Sequence, residues 1–176
     1  MYLILGGRSH LPIIQNIIMT IKCVPYKRLM HCTAGFLHKG EFMINESSPF
    51  PENEIISFYD CTGMPIFYLH SNGEHFYHYD GTPLAYLFNN EYIISYSGQY
   101  LGWIYNGSII DYKNGAYAFF STHSSGGPSR PSRKPRPSRL SRISRPSKSS
   151  RMSRPSRPSR QIRWSERSNM SFFPDY

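Results

Sequence analysis

Cysteine is scarce in this chain, and its spacing excludes two common roles. Cys23, Cys32 and Cys61 are an odd number of cysteines, and no two of them form a Cys-x-x-Cys pair. Neither a disulfide framework nor a thiolate zinc site is therefore indicated. Three free thiols suit a reducing compartment.

Long apolar runs are also missing. The most apolar stretch near the start, residues 13–21, is nine residues long and is interrupted by polar side chains, whereas a membrane span needs about 20 residues. It is also a poor signal peptide, because the apolar region after Arg8 and His10 is interrupted and no small-residue cleavage site follows it cleanly. We expect no transmembrane helix, and a location in the cytoplasm or at the periphery of a membrane is favoured over secretion.

The sequence lacks the motifs of common catalytic sites. Gly-x-Ser-x-Gly, a phosphate-binding P-loop and His-Glu-x-x-His do not occur. His70, His75 and His78 come nearest to a metal cluster, but alternation along a strand would turn His75 away from the other two. We expect a non-enzymatic binding module with no catalytic residue, metal or cofactor, and the sequence identifies no small-molecule substrate.

Positive charge is concentrated at one end of the chain. The 20 basic and 11 acidic residues give a net charge of +9. Residues 1–57 carry +1, residues 58–122 carry −4, and residues 123–176 carry +12. The high isoelectric point therefore belongs to the C-terminal segment and not to the middle of the chain.

The middle of the chain repeats itself. Between residues 58 and 121, glycines recur at intervals of 18, 17 and 17 residues, and aromatic residues occupy an equivalent place in three of the units. Each unit is rich in strand-forming Tyr, Phe and Ile, so we expect one β-hairpin per unit. The repeated positions are Gly63, Gly81, Gly98 and Gly115, with Tyr68, Tyr86 and Trp103.

Turn residues lie at the middle of each unit. They are Ser71-Asn72-Gly73, Asn89-Asn90 and Asn106-Gly107. These residue types tolerate positive φ, so the later two predict two-residue type I′ turns and the first predicts a three-residue turn that ends in a glycine bulge.

These turns predict which residues lie opposite one another. We expect the face that carries three equivalent pairs to be the core, and the opposite face, with Phe67, Ala85 and Gly102, to be covered by residues 43–57, another subunit or lipid. The pairs are Tyr68–Phe76, Tyr86–Ile93 and Trp103–Ile110.

Identical hairpins bury their apolar faces best by closing around an axis, which also removes exposed sheet edges. Three clear units and a partial fourth predict an all-β fold, a shallow pseudo-fourfold β-barrel. We expect residues 55–59 to pair with residues 116–121 and close the ring.

Beyond Pro128 the sequence has a period of three. A basic residue, a serine and a proline or apolar residue alternate along the chain, which in polyproline II would form three ridges. Such a tail buries little apolar area, so we expect it to be polyproline-like or disordered outside the barrel, either as a linker or as a ligand for anions. The candidate anion-binding residues are Arg130, Arg133, Arg136, Arg139, Arg142, Arg145, Lys148, Arg151, Arg154, Arg157, Arg160 and Arg163.

The chain therefore divides into three parts. Residues 1–42 form a leader of uncertain status, since Met43 offers an alternative start. Residues 43–122 form the hairpin-repeat domain, and residues 123–176 form the tail. Aromatic residues return at the end of the tail, where they would anchor in a membrane interface, dock back onto a groove or fray; they are Trp164, Phe172, Phe173 and Tyr176.

Three segments resemble the bacterial four-fold β-flower proteins. They are Gly-Thr-Pro-Leu-Ala-Tyr-Leu at 81–87, Tyr-Ser-Gly-Gln-Tyr-Leu-Gly-Trp at 96–103, and Gly-Gly-Pro at 126–128 leading into a triplet tail. The resemblance covers about residues 55–165 and implies a shallow pseudo-fourfold barrel with no defined catalytic residues. The tail departs from that family's Pro-Leu-Lys triplets, because Ser and Arg largely take the Leu and Lys places.

The sequence supports two functions. The first is a β-flower domain that its cationic tail tethers to an anionic membrane or envelope polymer. The alternative is an RNA- or DNA-binding protein that uses the Ser-Arg tail without sequence preference.

Overall fold

The computed structural model describes residues 48–176, so the status of the leader lies outside the described residues. Regular structure here is almost entirely β-strand, with one short 3₁₀ turn at Met170–Phe172. The strands are β1 (Ile56–Tyr59), β2 (Pro65–Leu69), β3 (His75–His78), β4 (Pro83–Phe88), β5 (Tyr92–Ser95), β6 (Tyr100–Tyr105), β7 (Ser108–Asp111), β8 (Ala116–Phe119) and β9 (Gln161–Trp164).

The nine strands form one sheet in sequence order. Strands β1 to β8 pair antiparallel, and β9 adds in parallel to β8. A bridge between Tyr59 and Phe120 joins β1 to the end of β8, with backbone N–H···O distances of 2.8 and 3.0 Å. The predicted all-β barrel of repeated hairpins is confirmed, and so is the predicted contact of residues 55–59 with residues 116–121.

Four equivalent bulges reveal the pseudo-fourfold repetition. Each lies in the first strand of a strand pair that spans a repeat boundary, where an extra residue bends the strand and increases its twist. The bulges fall at Phe58/Tyr59, Phe76/Tyr77, Ile93/Ile94 and Ile109/Ile110.

The later two turns have the predicted positive φ, but the loops of the first two hairpins are one residue longer than predicted, which changes their register. Asn89 and Asn90 both have positive φ, as do Asn106 and Gly107. Trp103 pairs with Ile110 as predicted, whereas the predicted pairs of the first two hairpins are wrong by one residue. The observed pairs there are Tyr68–Tyr77 and Tyr86–Ile94.

The one-residue shift has a local cause. Glu74 and Glu91 each add one residue between the turn and the returning strand. Their backbone carbonyls accept hydrogen bonds from Leu87 and Ile104 in the next hairpin, at 2.6 and 2.8 Å. In the third hairpin Ser108 follows Gly107 directly, so no residue is added there.

The core lies on the face opposite to the one predicted from Tyr68, Tyr86 and Trp103, although Phe76 and Ile93, which were predicted to share their face, do lie in the core because of the register shift. We call the side that carries Phe67 and Ala85 the inner face, because its residues form the largest buried apolar cluster, and the expectation that Tyr68, Tyr86 and Trp103 face the core is wrong. These three side chains are buried on the outer face. The inner cluster also contains Phe58, Leu69, Phe76, Leu87, Ile93, Leu101, Ile109, Phe119, Phe172 and Phe173.

The C-terminal aromatics dock back onto the barrel. Phe172 and Phe173 pack against the inner face, with ring centroids 5.3 Å from Phe119 and 4.9 Å from Phe67 respectively. Gly102 leaves room for this plug, since a Cβ at that position would lie 3.0 Å from Phe172 Cζ. Of the three fates considered for these residues, the structure shows docking.

The expectation of a disordered tail outside the barrel is wrong. Residues 128–160 form neither helix nor strand, yet their backbone hydrogen-bonds to the sheet at regular intervals. Alone, the tail buries too little apolar area to become ordered, but the outer face of the sheet supplies hydrogen-bond partners for its backbone.

Candidate anion-binding belt

The tail follows the outer face as a belt, which we define as residues 130–163. Its backbone N–H groups donate to the carbonyls of the repeated glycines at distances of 2.8 to 3.0 Å, once in every nine residues. Nine residues are three triplets, so three triplets of belt span one hairpin unit of 17 or 18 residues. The donor–acceptor pairs are Lys134–Gly63, Ile143–Gly81, Met152–Gly98 and Gln161–Gly115.

The repeated glycines meet the belt where no other residue fits. All four have positive φ, between 71° and 93°, and a Cβ at any of them would lie only 2.1 to 2.3 Å from a serine carbonyl oxygen of the belt. Glycine is therefore required for two reasons: it adopts the positive φ of the turn, and it lets the belt backbone approach closely. The serines are Ser132, Ser141, Ser150 and Ser159.

Eight of the twelve predicted anion-binding side chains lie over aromatic rings of the sheet. The cationic groups are 3.8 to 5.8 Å from the ring centroids, within cation–π range. The pairs are Arg133–Tyr59, Arg139–Tyr68, Arg142–Tyr77, Lys148–Tyr86, Arg151–Phe88, Arg154–Tyr92, Arg157–Tyr92, Arg157–Trp103 and Arg160–Tyr105.

The other four predicted residues have polar surroundings. Arg130 donates to the Gly126 carbonyl at 2.9 Å, and Arg163 donates to Gln161 Oε1 at 2.7 Å. Arg136 approaches Ser57 Oγ at 3.4 Å, and Arg145 lines a cleft beside the first hairpin. The structure therefore brings all twelve bases into one belt along the outer face.

Base and ring repeat in step. Tyr68, Tyr86 and Trp103 are equivalent residues of successive units, and the bases above them, Arg139, Lys148 and Arg157, are nine residues apart. Burial of these rings, with 2 to 5% exposed, follows from the belt, because long cationic side chains cover apolar surface with their stems.

Two carboxylates that sequence reasoning did not single out hold the belt. Glu74 pairs with Lys148, and Glu91 pairs with Arg157 at 2.5 Å. The hydrogen bond from Lys148 lowers the pKa of Glu74. Burial opposes ionisation of Glu91, but hydrogen bonds, first that from Arg157, lower its pKa.

A third carboxylate fixes the end of the belt. Asp111 is fully buried, and it accepts hydrogen bonds from Ser165 Oγ at 2.6 Å and from the Arg167 guanidinium. The sequence did contain a signal for this docking. Twelve bases divided among four units give three triplets per unit, which is the spacing of the backbone contacts.

In some belt triplets an apolar residue takes the place of proline, and its side chain is exposed. Leu140, Ile143 and Met152 are 57 to 62% exposed, and basic residues flank each of them. The belt thus presents apolar and cationic side chains together.

Comparison with known proteins agrees with this architecture. A family model described as the 4-fold beta flower protein matches residues 56–173. The chain belongs to the four-fold β-flower family. The matched β-flower region includes the belt and the Phe172–Phe173 plug. No curated protein and no solved structure gives a significant match.

Residues 48–176 contain no group of three or more side chains able to hold a metal ion. No helix in this part of the chain has the length and hydropathy of a membrane span. His75 instead contacts the Tyr96 hydroxyl at 3.1 Å, and His78 pairs with Asp80 at 3.1 Å.

Proposed function

We propose that this β-flower domain is a non-enzymatic module that binds an anionic membrane surface through its belt. The observation that carries the proposal is the exposure of Leu140, Ile143 and Met152 among basic residues on a backbone docked to the sheet. Apolar and cationic side chains side by side match the interface of an anionic bilayer. Each base near such a surface would contribute about 1 kcal/mol.

A docked belt suits this function better than a free tail. An extended segment in solution loses backbone entropy when it settles on a surface, at about 1–2 kcal/mol per residue. Hydrogen bonds to the repeated glycines fix the belt beforehand. The exposed side chains are therefore presented to the membrane without that ordering cost.

The same geometry makes nucleic acid the weaker candidate. Single-stranded nucleic acid is bound by proteins that offer open aromatic rings for base stacking. Here Tyr68, Tyr86 and Trp103 lie buried beneath the belt. Electrostatic attraction to phosphates would remain, and the experiment below separates it from membrane binding.

Vesicle co-sedimentation of the full chain tests the proposal. We expect binding to vesicles of phosphatidylserine and phosphatidylcholine, weak binding to phosphatidylcholine alone, and a decline as salt is raised. The triple variant Leu140→Ser/Ile143→Ser/Met152→Ser should bind less. Met64→Ser removes an exposed apolar side chain outside the belt and should bind like the unchanged protein.

Three results would contradict membrane binding through the belt. One is equal binding to both kinds of vesicle, another is unchanged binding of the triple variant, and the third is displacement from vesicles by RNA at equal phosphate concentration. Deleting the tail is an unsuitable test, because Phe172 and Phe173 belong to the core.

A further inference from the structure

The belt base over the first hairpin lacks the carboxylate partner that the bases over the next two hairpins have. Glu74 of the first hairpin pairs with Lys148 over Tyr86, and Glu91 of the second pairs with Arg157 over Trp103. Bulge register makes Ile56 the equivalent of Glu74 and Glu91, and Ile56 is buried in the inner cluster. Arg139, which corresponds to Lys148 and Arg157, lies over the Tyr68 ring, 5.5 Å from its centroid. Among residues 48–176, none of the ion pairs includes Arg136, Arg139 or Arg142.

The same unit also differs at its second belt contact. Arg151 lies 3.9 Å from the Phe88 ring, and Arg160 lies 3.8 Å from the Tyr105 ring. The equivalent residue of the first unit is His70. Its belt partner, Arg142, lies instead over Tyr77 at 5.8 Å. In the first unit the imidazole of His70 therefore takes the place of the Phe88 and Tyr105 rings, on which Arg151 and Arg160 stack.

Two adjoining clefts between the belt and the first hairpin expose these groups. Their volumes are about 460 and 520 Å³, and both are lined by His70 and Arg142. Arg139 and Tyr68 complete the first cleft, and Arg145 lies in the second.

The neutral imidazole of His70 can donate a hydrogen bond through Nε2. The Asn72 backbone N–H donates to His70 Nδ1 at 3.2 Å, so the neutral ring carries its proton on Nε2. Burial, followed by the charge of Arg142, lowers the pKa of His70. At neutral pH the ring therefore offers an N–H group, and the guanidinium groups supply the charge.

We propose that this double cleft binds a phosphate monoester, with Arg139 and Arg142 as the charged ligands and His70 as a neutral donor. The molecule supplies a precedent for Arg139, since Lys148 and Arg157, which correspond to it in the next two units, each bind a carboxylate of the chain itself. Guanidinium groups bind phosphate oxygens through paired N–H donors, and a doubly charged monoester matches two of them. A lipid source of the monoester rests on the proposed membrane function, whereas a soluble source does not.

Titration of the full chain with inorganic phosphate tests the cleft. We expect saturable binding by calorimetry and a shift of the His70 ring signals in NMR spectra. Arg142→Gln should weaken binding about tenfold, as for the loss of one charged hydrogen-bonding group, and His70→Phe, which copies Phe88, should weaken it at unchanged net charge. Arg160→Gln removes the same charge at the equivalent place over Tyr105 and should bind phosphate as the unchanged protein does.

A second arm identifies the source of the monoester. Vesicles that carry phosphatidic acid are compared with phosphatidylserine vesicles of equal surface charge. Preference for phosphatidic acid that Arg142→Gln abolishes supports the site with a lipid ligand, and saturable phosphate binding without that preference supports it with a soluble ligand. Equal weakening by Arg142→Gln and Arg160→Gln overturns the site, and so does the absence of saturable phosphate binding. Phosphatidylserine binding would survive either result if the proposed function is correct.

Discussion

Single glycines decide whether the belt can lie on the sheet. Gly115 and Gly73 have nearly the same backbone, with φ of 71° and 70°. A Cβ on Gly115 would lie 2.2 Å from the Ser159 carbonyl oxygen, whereas a Cβ on Gly73 would have no neighbour within 4 Å. The two positions thus separate the cost of backbone strain from the cost of displacing the belt.

We predict that Gly115→Ala destabilises the protein more than Gly73→Ala. Positive φ costs either alanine about 1–2 kcal/mol. At Gly115 the belt must also move away, which weakens the Gln161–Gly115 hydrogen bond and adds about 1 kcal/mol. Denaturant unfolding of both variants measures the difference. An equal loss of unfolding free energy in the two variants would show that the belt does not pack against Gly115.

At the scale of elements, the C-terminal segment is part of the core. Phe172 is fully buried between Phe119 and Phe173, whereas Tyr176 is 54% exposed. We predict that Phe172→Ala lowers the free energy of unfolding by about 3–5 kcal/mol. Tyr176→Ala should change it by no more than about 0.5 kcal/mol. Thermal unfolding checks both, and a Phe172→Ala protein as stable as the Tyr176→Ala protein would refute the docked plug.

Local elements were predictable and their partners were not. Asn106-Gly107 specifies a tight turn through its own backbone preferences, so that hairpin and its register follow from the sequence. Glu74 and Glu91 add a residue after the turn because their carbonyls serve the next hairpin and their carboxylates serve the belt. Neither requirement can be recognised within the hairpin itself, and for this reason two registers were wrong.

The face assignment failed for a related reason. Tyr68, Tyr86 and Trp103 repeat regularly, which is typical of a core, but this sheet is buried on both sides. The second layer is the belt, a segment with too little apolar area to fold alone. The period of three in the sequence identified the twelve bases of the candidate site. Which aromatic rings lie beneath eight of them could be learned only from the structure.

Over the whole molecule, opposite charges of distant segments meet. Residues 58–122 carry −4 and residues 123–176 carry +12, and three carboxylates of the first segment bind bases of the second. Belt and barrel form one compact unit in this arrangement. Both proposals above depend on it, because each needs the bases held at fixed places on the outer face.

Amide hydrogen exchange along the tail tests this central claim most directly. The docked belt predicts slow exchange at amides that donate to the sheet, in two series with a spacing of nine residues, and faster exchange at the remaining amides of residues 129–160. The protected amides would be those of Lys134, Leu140, Ile143, Ser149, Met152 and Gln161. Uniformly fast exchange at all of these amides, at the rate of an unstructured peptide, would contradict the account.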